Sequence, residues 1–186
     1  MFDGVPDFLY HGSAVVFRAV DVRKGHGYKD FGRGFYMSIE RQQAIGMMHK
    51  KFDELVGRRL SEEKGPLKKT LYRISLNANV LSELKVKVFG QADAEWLDFV
   101  LRCRQTDGVP HDFDVVIGPT ADEDTRLLLK NYLDGVYGDY DDPDAKATLL
   151  RLLKPERLGV QWYVGSQSVA DRLISKLEPV DWRECV

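Results

Sequence analysis

Six short strand-like runs are scattered among helical stretches, and no regular strand–helix–strand alternation links them. The runs are "FLYHGS" (8–13), "FYMSI" (35–39), "TLYRISL" (70–76), "LKVKVF" (84–89), "FDVVIGP" (113–119) and "GVQWYVGS" (159–166). Regular alternation builds doubly wound parallel sheets, and its lack favours an α+β fold. Between the runs, residues 40–60 place Ala44, Met47, Met48, Phe52, Leu55 and Val56 near helical spacing. A second helix is expected over 91–104, with Trp96, Phe99, Val100 and Cys103 on one face, and others over 122–134 and 144–153. Ser166 can cap a last helix through about 175, with Val169, Leu173 and Ile174 inward. Residues 14–34, 61–66 and the acidic "GVYGDYDDPD" read as loops. No repeat, low-complexity segment or internal boundary interrupts the 186 residues, so one domain over 1–186 is expected.

Composition excludes some classes and leaves many. Apolar residues at 44% and charged residues at 30%, with a net charge of −2, are ordinary for a soluble globular chain. No window is long and apolar enough for a membrane span, and "MFDGVPDFLY" lacks the basic and apolar regions of a signal peptide. A cytoplasmic location is therefore expected, and an effector exported by a specialised machine would read the same way. Cys103 and Cys185 lie far apart without a CxxC, and His11, His26, His49 and His111 form no HExxH or close pair, so no metal is expected. Charge is unevenly spread. Residues 23–87 carry 15 Lys/Arg against 7 Asp/Glu, and residues 112–144 carry 2 against 10. Two solvated faces account for this; a basic side for an anion and an acidic side for a partner, or for internal pairing, is the sharper reading.

Glycine marks the two most informative stretches. "DFGRGFYMS" (30–38) sets Gly32 and Gly34 around Arg33 before a strand, and "YHGS" (10–13) follows a short apolar run. Glycine before a strand implies close backbone approach. "GHGYKDFGRG" is no dinucleotide fingerprint, because Asp30 stands where the third glycine belongs and a strand, not a helix, follows. No GxxxxGK[ST] occurs either.

Taken together, "YHGS", "KDFGRGFY" (29–36), "DVVIGPTAD" (114–122) and the late strand bearing Gln161 resemble the ADP-ribosyltransferase superfamily, in its diphtheria-toxin and poly(ADP-ribose) polymerase branch. More narrowly, the ordered set is similar to a bacterial family long catalogued as a domain of unknown function. It spans about residues 9–175. The resemblance implies two small mixed or antiparallel sheets with NAD in the cleft between them and helices outside. It implies scission of the nicotinamide–ribose bond through an oxocarbenium-like state, with NAD as substrate and no metal.

By the same resemblance, His11 matches the histidine that bonds the adenosine-side ribose, and Gly12 the residue whose backbone grips the carboxamide. Ser13 adds a hydroxyl, and Tyr36 stacks on nicotinamide. Phe31, Arg33 and Gly34 join the cofactor-binding set, with Arg33 near the pyrophosphate. Gln161 stands where the superfamily has glutamate. An amide keeps the hydrogen bond and loses a charge interaction of roughly 4 kcal/mol. Asp30 and Asp122, with Glu123, are candidate auxiliary carboxylates, and helix capping is the plainer role for the latter two. Phe35 and Tyr36 must point to opposite sides of their strand, Phe35 inward.

The expected function is mono-ADP-ribosyl transfer to a macromolecule, as in toxins or effectors. An antitoxin or immunity protein would then be a partner, with the acidic 134–144 loop a place for it. An NAD glycohydrolase and a non-catalytic NAD- or ADP-ribose-binding module are the alternatives. A nucleic-acid acceptor draws some support from the basic region, without any recognition motif.

Overall fold

A computed structural model describes residues 4–58, 66–121, 123–153 and 158–184. Its strands are β1 (Leu9–Ser13), β2 (Phe35–Ser38), β3 (Thr70–Leu76), β4 (Val86–Val88), β5 (Val115–Pro119), β6 (Val160–Val164) and β7 (Ile174–Val180). They form one sheet in the order β4-β5-β6-β2-β1-β3-β7. Among the described strands only β4 and β5 run parallel. The helices are α1 (Arg41–Arg58), α2 (Ala94–Arg104), α3 (Glu123–Leu133), α4 (Pro143–Leu153) and α5 (Gln167–Leu173), with 3₁₀ turns at Val22–Lys24 and Ala78–Glu83. The α+β class expected from the sequence holds. The loop expected over 61–66 lies, except for Pro66, outside the described residues.

The expectation of two sheets needs correction, because all described strands belong to one. The reason lies at its middle. β1 pairs with β3 over five residues and β2 with β6 over four, yet β1 meets β2 only at Tyr10↔Ser38. Past that pair the two strands part, and the sheet is two half-sheets joined by one rung.

Strand alternation assigns each face its core. One face carries Leu9, Phe35, Met37, Ile74, Ile117 and Trp162 against Val22 and the inward residues of α5, Val169, Ala170 and Leu173. The cap of α5 is the expected one, with Ser166 Oγ accepting from Val169 N at 3.3 Å. The opposite face carries two separate clusters. Ala44 and Met48 of α1 pack on Leu71 beside Tyr10 and Trp182. α2 and α4 pack around Phe31, Val116 and Tyr163. Between these two clusters, on the same face, Ser38 and Gln161 stand opposite one another in register.

β7 was not expected; the last helix was expected to run to about 175. It ends at Leu173, and Ile174 passes straight into the strand. Lys176, Glu178 and Pro179 conceal the strand, and proline is tolerated because β7 is an edge.

Candidate functional site

The motif-bearing strands are consecutive neighbours, β6–β2–β1, although β1 and β6 are about 150 residues apart in the chain. His11 sits where β1 leaves β2. Its Nδ1 donates to the Tyr36 carbonyl oxygen at 2.7 Å, so the side chain satisfies an acceptor that a continuing ladder would have used. That bond fixes the proton on Nδ1 and leaves Nε2 as an acceptor. The ring stacks on Phe35 at 4.5 Å and meets Phe17 edge-on at 5.8 Å. Burial pushes its pKa down to about 3, Lys51 adds to the shift, and the bond to Tyr36 opposes it. Lys51 is itself lowered by burial and by the charge of Lys29. Lys51 therefore brings positive charge to the neighbourhood of the histidine.

Tyr36 and Gln161 point to the other face. Tyr36 pairs with Tyr163 and shares its side with Ser38, whereas His11 shares its side with Tyr72. The structure thus brings the three residues around one seam without gathering their side chains on one face. Tyr36 is half-buried, its hydroxyl donating to Gly32 O at 2.6 Å and accepting from Phe31 N at 3.1 Å. Burial, followed by the nearby Asp30 charge, raises its pKa well above the phenolic range, which keeps the hydroxyl a donor. Phe35 faces the opposite core, as alternation requires.

Asp30 is the centre of the polar layer. Its Oδ1 accepts from Arg104 Nε at 2.8 Å and Nη2 at 2.6 Å. Its Oδ2 accepts from Ala121 N at 2.9 Å and Gln161 Nε2 at 2.7 Å. Gln161 Nε2 also lies 3.4 Å from Pro119 O. Alongside, Ser38 Oγ donates to Gln43 Oε1, and Gln43 Nε2 reaches Thr120 Oγ1 at 2.6 Å, tying α1 to the end of β5. Asp30 and Gln161 are both under a tenth exposed. This burial is tolerated because each carboxylate oxygen has donors and Arg104 supplies the opposite charge.

Several expected ligand contacts are occupied by the protein itself. A Cβ on Gly12 would stand 1.9 Å from the Ala44 carbonyl oxygen, so α1 is what approaches this glycine. A Cβ on Gly34 would stand 2.2 Å from Tyr163 Cε2. Gly32 has φ +86°, a left-handed conformation that favours glycine. The glycine loop is crowded by the chain: Arg33 N donates to Gly108 O at 2.7 Å, and Tyr163 Oη donates to Arg33 O at 2.9 Å. Phe31, expected to touch the cofactor, is fully buried in the α2 cluster. The Arg33 guanidinium, exposed, pairs with Asp107 at 2.6 Å. Ser13 is buried, its Oγ accepting from Val15 N at 3.2 Å. Asp122 lies outside the described residues, as do the side chain of Glu123 and Cys185.

Arg104 was missed. In the sequence it is a basic residue in the last turn of a helix, which the helix dipole alone explains. Its partner lies 74 residues away. Ser38, Gln43 and Thr120 were missed for the same reason: each is a common polar residue until register brings them together. Among the described residues no cluster of His, Cys, Asp and Glu could hold a metal ion, and no helix is long and apolar enough to cross a membrane. An open groove of about 300 Å³ lies apart from the seam, lined by Lys87, Glu95, Asp98, Phe99, Arg102 and Phe113, and holds no motif residue.

Residues 8–174 match the model of a family described as "Protein of unknown function (DUF3990)". The chain belongs to the DUF3990 family. No curated protein matches it. No solved structure matches it. In this DUF3990 chain the matched span runs from the residue before β1 to the start of β7 and includes the whole polar layer.

Proposed function

We propose that the protein binds NAD at the β6–β2–β1 seam and is a mono-ADP-ribosyltransferase acting on a macromolecule. The observation that carries this reading is the adjacency of the three motif strands around a sheet that parts between β1 and β2. An ADP-ribosyltransferase-like arrangement, two half-sheets with the dinucleotide between them, fits that geometry. His11 offers Nε2 to a ribose hydroxyl, Lys51 favours an anion, and Gln161 offers its amide oxygen to the second ribose.

In the reaction the bond between ribose C1′ and the nicotinamide nitrogen breaks. Its electron pair leaves with nicotinamide, and an acceptor nucleophile bonds to C1′ as it releases its proton. With water as acceptor the same site is an NAD glycohydrolase. A role as a toxin or effector, with a neutralising partner, extends the proposal by analogy only.

One observation favours a second reading, a module that binds NAD or ADP-ribose and turns it over slowly or not at all. The charge of Asp30 is matched by Arg104, so the carboxylate nearest Gln161 does not replace a catalytic glutamate.

The deciding experiment is incubation of ¹⁵N-labelled protein with NAD, with and without a cell extract. Released nicotinamide is followed by chromatography and backbone amide shifts by NMR. Shifts confined to 10–13, 34–38 and 160–163 with nicotinamide release support the enzyme. The same shifts without release support the module. No shift at these residues at millimolar NAD rejects the site.

A further inference from the structure

Four donors converge on the Asp30 carboxylate: two nitrogens of Arg104, the Ala121 amide and Gln161 Nε2. That fills the acceptor capacity of a carboxylate and leaves little for a ligand. The atoms beside Gln161 Nε2, Asp30 Oδ2 and Pro119 O, are acceptors only. An amide placed between two acceptors has one satisfied orientation, nitrogen toward them and oxygen away.

We propose that Asp30 is a positioning residue, which Arg104 holds in place and which locks the Gln161 amide so that position 161 presents a neutral oxygen acceptor. In consequence the pair excludes glutamate from position 161. A carboxylate there would set its oxygens against Asp30 Oδ2 and Pro119 O, with one guanidinium shared between two negative charges. The glutamine is then the residue that a carboxylate at position 30 permits. That the oxygen serves a ribose hydroxyl rests on the NAD reading; that Asp30 orients the amide does not.

Gln161→Glu, made alone and in an Asp30→Asn background, tests the pair by its pH profile. The new carboxyl in the single variant resists ionisation, so its pKa rises above the value in the unfolded chain. Relative to wild type at each pH, which removes the histidine contribution, stability is then highest at low pH and falls as pH rises from 5 to 8. In the double variant one carboxylate faces one guanidinium, and this slope disappears. The wild-type Gln161 side-chain amide protons should exchange slowly in NMR, and Asp30→Asn should speed that exchange. On the NAD reading, Asp30→Asn also weakens NAD binding by roughly tenfold.

A Gln161→Glu variant whose stability follows that of the wild type from pH 5 to 8 would overturn the proposal, as would fast exchange of the wild-type amide protons. If Asp30→Asn does not fold, these two measurements decide the matter without it. If the protein binds no NAD while slope and exchange behave as expected, the functional reading fails and the pairing stands.

Discussion

On the β1 side of the seam, His11 is held by aromatic rings and a single hydrogen bond to a backbone carbonyl. On the β6 side, Gln161 belongs to a layer in which a carboxylate, a guanidinium and a backbone amide satisfy one another. The first side is organised by packing, the second by charge. Packing tolerates loss of a polar group and resists added volume. A buried ion pair behaves the other way: removing one partner strands the other, whereas volume matters less.

Arg104→Ala gives the largest expected effect. It leaves Asp30 buried without its cationic partner, and a loss of about 3–5 kcal/mol is expected in urea unfolding. Arg104→Lys should recover only part, since an ammonium cannot place two nitrogens on Asp30 Oδ1 while also reaching Ala121 O. Gly12→Ala is the matching test on the other side. Its methyl would meet the backbone of α1 at 1.9 Å, so the helix must move, and a cost of about 1–3 kcal/mol is expected. The contrast breaks if Arg104→Ala proves milder than Gly12→Ala in the same denaturant series.

The sequence was most legible where a residue's role depends on its near neighbours. β3 is expected at Thr70–Leu76 and lies there, paired on both edges with β1 and β7. The Ser166 cap was readable because it acts three residues on. Gly32 and Gly34 are readable as points of close approach, and the fold supplies Gly108 O and the Tyr163 ring as neighbours: spacing shows that a backbone is crowded and not what crowds it. β7 was hidden by an edge composition of lysine, glutamate and proline. The Asp30–Arg104–Gln161 layer joins three distant segments, and no local pattern carries it. In the sequence Asp30 reads as an auxiliary carboxylate, and only the fold supplies its partners.

Tyr36→Phe asks which side the tyrosine serves. The variant keeps the ring against Phe31 and Tyr163 and loses the hydroxyl bonds to Gly32 O and Phe31 N. A cost of about 1–2 kcal/mol is expected, and the loss of order should show as faster amide exchange at Phe31 and Gly32. Tyr36→Ala removes the ring as well and should cost about 3–5 kcal/mol. Near-equal values for the two variants would mean that the hydroxyl, not the packing, dominates, and would move Tyr36 to the polar side of the comparison.

The smallest effect concerns His11, and its sign is definite. Its pKa in the folded chain is about 3, below the value near 6.5 of an unfolded histidine. As pH falls, the unfolded chain takes up the proton first. The stability that His11 contributes is full above pH 6.5 and is lost progressively toward pH 3. Solvent at the open edge of this half-buried ring limits the expected change between pH 7 and pH 5 to about 1 kcal/mol. His111 is also lowered by burial and adds to the same slope, so the informative quantity is the difference between the wild type and His11→Gln. That variant should flatten the slope over pH 5–7 while leaving the His111 part. An unchanged slope would mean that the ring can swing out from between Phe35 and Phe17 to ionise, and the β1 side would then be held less by packing than the stacked ring implies.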